Sequence, residues 1–146
     1  MVSFKPVHIK RGSAKGNSRE AARTVRARLL LVEGDFLVRF ALGEFLRAKG
    51  YIVFQAMTSS QAKHVFETVA PLDILLAEVD LDLGEDAFDL ARWVRDHHPR
   101  SRILFLSGDN KLTPEQECLC DRLLIGKPYS YGRVADEVAY LLRPKC

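Results

Sequence analysis

The chain has 146 residues, 47% of them hydrophobic, a formal net charge of +3 and three cysteines. A chain of this size buries about two thirds of its unfolded surface in a single domain, and its longest apolar runs, LLLV and ILFL, fall far short of the roughly 18 residues that cross a bilayer. Cys118, Cys120 and Cys146 are too few and too odd in number for a disulfide framework, which points to a reducing, cytoplasmic setting.

The net charge conceals a division. Residues 1–28 carry eight Lys or Arg against the single acid Glu20, a net +7, whereas the remaining chain holds 14 basic and 18 acidic groups, a net −4. The arm interleaves Gly, Ser and Asn with its charges and has little apolar periodicity, so it buries too little surface to fold alone. Disorder, or at most a late helix near SREAARTVRAR, is expected over 1–27, ahead of a domain over 28–143 and a tail over 144–146. A solvated tail is the plain reading of the arm. Its charge also suits nucleic acid or an anionic membrane surface through phosphate neutralisation, and its poverty in acids suits a transit peptide, although no apolar h-region follows.

From residue 27 the pattern alternates. ARLLLV (27–32) is a short apolar run closed by Glu33-Gly34-Asp35; FLVRFALGEFLRAK follows as a helix, with Phe36, Phe40, Phe45 and Leu46 as its apolar positions and Gly50 as its stop. YIVFQA (51–56) is β-branched and aromatic, and Thr58 or Ser59 caps a helix whose face is Ala62, Val65, Phe66 and Val69, ended by Pro71. DILLA (73–77) is the third strand, running into Glu78, Asp80 and Asp82. Asp86 caps a helix with Ala87, Leu90, Ala91 and Val94 on one side. RILFL (102–106) is the fourth strand. Thr113-Pro114-Glu115-Gln116 is a capping box with proline at the first helical position, and RLLI (122–125) is a weak fifth strand. The last helix, in SYGRVADEVAYLL, sets Val134, Val138, Leu141 and Leu142 at helical spacing. Cys118-Leu-Cys120 has no second ligand pair at zinc spacing and reads as two small hydrophobes.

Five apolar strands alternating with five helices predict an α/β, doubly wound parallel sheet covered on both faces. In such folds ligands sit beyond the carboxyl ends of the strands. There the sequence places Glu33 and Asp35, Glu78, Ser107, and Lys127 with Pro128: acids, a hydroxyl and an ammonium on one edge.

Over about residues 27–143, the stretches LLLVEGDFLVR, LDILLAEVDL, ILFLSG and GKPY resemble, in order and spacing, the receiver domain of bacterial two-component response regulators. The resemblance implies a flavodoxin-like sheet of order 2-1-3-4-5 and a Mg²⁺ held by two acids after strand one. It also implies an aspartate ending strand three that accepts a phosphoryl group, a hydroxyl after strand four, and a lysine before a proline. By position these are Glu33 and Gly34, then Glu78, Ser107 and Lys127. Gly34 has no side-chain oxygen for a metal, leaving Glu33, Asp35, Glu78 and Asp80 as the acids toward Mg²⁺, with Asp35 equally the natural cap of the next helix. A site short of one carboxylate holds the ion weakly. Glutamate at 78 carries its carboxylate about 1 Å too far for in-line phosphoryl transfer, a displacement that can cost about a hundredfold in rate, and it places a permanent anion where a transient one would stand. A buried ion pair of Glu78 with Lys127 is the structural alternative. Leu124 stands where the family has a switching aromatic, Asp82 where it has a proline, and the segment from Ser107 to Lys127 lacks its Ala-Gly stretch.

The resemblance implies a non-enzymatic signalling protein in a phosphorelay, with a histidine kinase or another signalling protein as partner, a homodimer as one assembly, and no output domain after Cys146. A degenerate, pseudo-receiver-like protein acting without phosphorylation is the favoured reading. A phosphorylatable single-domain regulator and a nucleic-acid-associated protein using residues 1–28 are the alternatives. Trp93 beside Asp89, Asp96 and His97, and Tyr140 beside Arg133, Asp136 and Glu137, are aromatics on polar helix sides and so candidates for partner contact.

Overall fold

The computed structural model describes residues 26–79, 86–108, 112–126 and 128–144. Within them the elements alternate as β1 (Arg28–Val32), α1 (Phe36–Ala48), β2 (Ile52–Ala56), α2 (Ser59–Val69), β3 (Ile74–Glu78), α3 (Ala87–His97), β4 (Arg102–Ser107), α4 (Pro114–Glu117), β5 (Arg122–Ile125) and α5 (Tyr131–Leu141). All four strand pairings are parallel and the order is β2-β1-β3-β4-β5, as expected. The arm over 1–25, Asp80, Asp82 and Lys127 lie outside the described residues.

Alternation along the strands divides the core in two. Leu29 and Leu31, Ile74 and Leu76, and Leu104 and Leu106 face α1 and α5, meeting Leu42, Leu46, Val134 and Val138. Leu30, Val32, Leu75, Ala77, Ile103 and Phe105 face α2 and α3, meeting Ala62, Phe66, Leu90 and Val94. A sheet covered on both faces needs apolar residues at successive strand positions, which is why LLLV and ILLA read as continuous runs.

Helix starts follow the side chains that satisfy their first N–H groups. Asp35, Thr58, Asp86 and Ser130 cap α1, α2, α3 and α5. Thr113 and Gln116 form the expected capping box, but α4 lasts a single turn.

Two expectations are corrected by the packing. On α1, Phe36 and Phe40 are exposed, stacked on each other at 6.1 Å between centroids; the buried residues are Leu42, Gly43 and Leu46. Trp93, placed by the periodicity on the polar side of its helix, is half-buried and packs edge-on to Phe66 of α2, with the His97 ring stacked 4.8 Å away. The helical wheel of α3 considers only the sheet, whereas α2 offers Trp93 a second apolar neighbour.

Candidate functional site

At the carboxyl edge of the sheet, all five residues of β3 are buried, so the strand carries its last side chain, Glu78, to 1% exposure. Glu78 shares the parity of Ile74 and Leu76 and therefore points to the α1 and α5 side. There the Tyr129 hydroxyl donates to Glu78 Oε1 at 2.7 Å. Tyr129 is itself buried, packed in the cluster that contains Leu106, Leu124 and Val134. A buried tyrosine needs a partner for its polar tip, and a buried carboxylate needs donors; each supplies what the other lacks.

The first loop is held by its own backbone. Glu33 is buried, its N–H donates to Ala56 O at 3.1 Å, and its Oε2 accepts the Asp35 N–H at 3.0 Å. Arg39 Nη1 donates to Glu33 O at 2.8 Å and lies 3.5 Å from Gly34 O. Asp35 Oδ1 accepts the N–H groups of Leu37 and Val38 at 2.9 and 3.2 Å, which is the capping role. At the end of β4, buried Ser107 is paired in register with Ile125, and its carbonyl accepts the Gly126 N–H at 2.9 Å. Gly126 has φ +111°, a left-handed conformation that favours glycine and turns the chain toward Pro128 and Tyr129.

The fold brings Glu33, Asp35, Glu78 and Ser107 to one edge, with buried Leu124 next to the last residue of β5. The expected Glu78–Lys127 pair and the ligand role of Asp80 lie outside the described residues. Toward a Mg²⁺ ion, Gly34 contributes no side-chain donor, one oxygen each of Glu33, Asp35 and Glu78 accepts a hydrogen bond from the chain, and among the described residues no three His, Cys, Asp or Glu form a metal-holding group. Tyr129 is the site residue that sequence reasoning passed over. Its signal was an aromatic with a polar tip in GKPY, directly after the Lys127-Pro128 pair at the edge where the acids gather.

A cavity of about 540 Å³ adjoins Tyr129, lined by Asp35, Val38, Pro128, Tyr129 and Tyr131. On the same N-terminal half of α1, Phe36, Leu37 and Phe40 are 62%, 72% and 53% exposed. Tyr140 lies elsewhere: the end of α5 meets the start of β4, where Arg102 Nη1 donates to Leu141 O at 3.2 Å. Half-buried Trp93 lies between α2 and α3. Among the described residues no helix is long and apolar enough to cross a membrane.

No protein-family model matches the chain, and no curated protein does. Solved structures do. A response regulator receiver domain (CheY-like) from Methylobacillus flagellatus superposes with a TM-score of 0.72 at 21% identity, over 80% of this chain and 99% of that one. The response regulator TrrA from Thermotoga maritima, in complex with Mg²⁺-BeF, gives 0.71 at 20% identity over 80% and 99%. TrrA in complex with the histidine kinase ThkA gives 0.70 at 19% over 80% and 99%. At these identities the likeness is one of architecture: the chain has the fold of response-regulator receiver domains.

Proposed function

We propose that the chain is a receiver-type signalling protein of two-component phosphorelay systems that acts through protein–protein interaction, with Glu78 as a permanent anion in place of a transient phosphoryl group. The observation that carries this reading is the Glu78 carboxylate, buried at the end of β3 and held by the Tyr129 hydroxyl. A nucleophile already engaged by a donor, and one methylene too long, is poorly placed for in-line attack on phosphorus. Gly34 removes a metal-binding side chain from the first loop, and Asp35 is occupied in capping α1. The exposed Phe36, Leu37 and Phe40 are the surface on which a partner would dock, since clustered exposed apolar side chains mark interaction sites. The TrrA–ThkA complex makes a histidine kinase the first partner to test. The chain itself is not an enzyme in this reading.

Incubation with Mg²⁺ and a small phosphodonor, followed by intact mass, tests the reading. The expected result is no phosphoryl adduct on the natural chain and one adduct on the Gly34→Asp/Glu78→Asp double variant. Efficient Mg²⁺-dependent labelling of the natural chain at Glu78 would overturn it.

A further inference from the structure

In a parallel sheet whose helices run back antiparallel, strand starts and helix ends share one edge. Here Ile52 N–H to Ala27 O, Asp73 N–H to Arg28 O and Arg102 N–H to Asp73 O, at 2.9, 2.8 and 2.9 Å, tie the starts of β2, β1, β3 and β4 into a row. Arg28 donates from this row to Val69 O and Pro71 O at the end of α2, and Arg102 to Leu141 O at the end of α5. Cations at helix C-termini offset the negative end of the dipole, which accounts for those two arginines.

It does not account for their surroundings. Tyr140, 48% exposed, has the Arg122 guanidinium 4.4 Å and the Arg143 guanidinium 5.4 Å from its ring centroid. Arg26, Arg100 and Arg143 are exposed and enter no salt bridge among the described residues. Glu67, Asp96 and Asp136 are exposed at this end, whereas three other acids are engaged within the protein. Asp73 accepts the Arg28 N–H, Asp121 accepts the Ile103 N–H and faces Arg95, and Glu137 binds Arg122. Residues 1–25, with six Lys or Arg against Glu20, join the domain at this same end. The opposite edge carries Glu33, Asp35 and Glu78.

We infer that this basic end, with Arg100, Arg143 and Tyr140 at its surface, binds single-stranded nucleic acid. Phosphates are drawn to guanidiniums without a carboxylate partner, and an exposed ring beside guanidiniums gives bases a stacking platform. A lipid surface would require an apolar insertion face, and Tyr140 is the single exposed large hydrophobic at this end among the described residues. The surface is independent of the reading of Glu78.

The test is fluorescence anisotropy of the full chain with a labelled, mixed-sequence DNA strand of about 20 nucleotides, between about 50 and 200 mM salt. Binding should weaken steeply with salt. Arg100→Gln combined with Arg143→Gln should flatten the log–log slope by about 1.4, or about 0.7 for each phosphate that is no longer neutralised. Tyr140→Ala should weaken binding about tenfold with the slope unchanged. Arg92→Gln, in the exposed Arg92–Asp89 pair of α3, should change neither, and thermal melts establish that each variant is folded. Absence of binding would overturn the inference. So would binding indifferent to the Arg100, Arg143 and Tyr140 substitutions, which leaves residues 1–25 as the sole point of attachment, or competition by phosphatidylserine vesicles that Tyr140→Ala does not alter.

Discussion

The Tyr129 hydroxyl and Glu78 Oε1 meet at 2.7 Å across 51 residues of chain. The contact joins the end of β3 to the segment that opens α5, and one face of Tyr129 lines the cavity beside α1.

Tyr129→Phe keeps the ring and removes the donor. Hydrogen bonds to charged groups contribute about 1.5–3 kcal/mol, so a destabilisation of about 2 kcal/mol in urea unfolding is expected. A variant as stable as the natural chain would show that other donors to Glu78 suffice.

Glu78→Gln keeps an acceptor for Tyr129 and removes the charge, which separates the two contributions. Partner affinity measured by calorimetry should fall at least about tenfold, or about 1.4 kcal/mol, in protein that a denaturation curve shows to be fully folded. Unchanged affinity in folded Glu78→Gln would reduce Glu78 to a structural role and discard the permanent-anion reading.

Asp35→Ala removes the cap of α1, whose Oδ1 holds two N–H groups. The expected cost is about 1 kcal/mol. Millimolar Mg²⁺ should raise the melting temperature of the natural chain very little, because stabilisation follows RT ln(1 + [L]/Kd) and vanishes when Kd exceeds the ion concentration. A clear Mg²⁺ shift that Asp35→Ala abolishes would make Asp35 a ligand instead.

Trp93→Ala separates packing from partner recognition on α3. The ring is half-buried against Phe66, with Lys63 Nζ 5.8 Å from its centroid, so truncation should cost about 2 kcal/mol, somewhat below the roughly 3–5 kcal/mol typical of a fully buried aromatic. Partner affinity should not change in the folded variant; a binding defect without a stability defect would return Trp93 to the partner surface.

Burial, with Asp121 beside it, pushes the Cys120 thiol up from 9.0 to about 11. Above about pH 9 the unfolded chain releases a proton that the folded chain retains, so the stability linked to this group is complete below about pH 9 and is lost as pH rises toward about 11. Alkylation followed by peptide mass at about pH 9 should modify exposed Cys118 ahead of Cys120. Equal rates at both thiols would contradict the burial of Cys120.

The strands, the caps at Asp35, Asp86 and Thr113, the narrowing of a fourth cap to Thr58 or Ser59, and the gathering of Glu33, Glu78 and Ser107 at one edge were legible in the sequence, because each depends on near neighbours: apolar runs, a side-chain oxygen ahead of a helix, a polar residue after a strand. The parallel sheet followed from strands apolar on both faces, and its order from the resemblance to receiver domains. What the sequence left open depends on residues far apart in the chain. The periodicity of FLVRFALGEFLRAK admits more than one apolar face, and the packing of α1 against the sheet selected Leu42 and Leu46 and left Phe36 and Phe40 in solvent. Trp93 is off the sheet-facing side of α3, and it is half-buried because α2 lies alongside. The partner of Glu78 was decided by parity along β3 and by the Gly126 turn, which together place the Tyr129 hydroxyl on the carboxylate; neither residue's local sequence specifies the other.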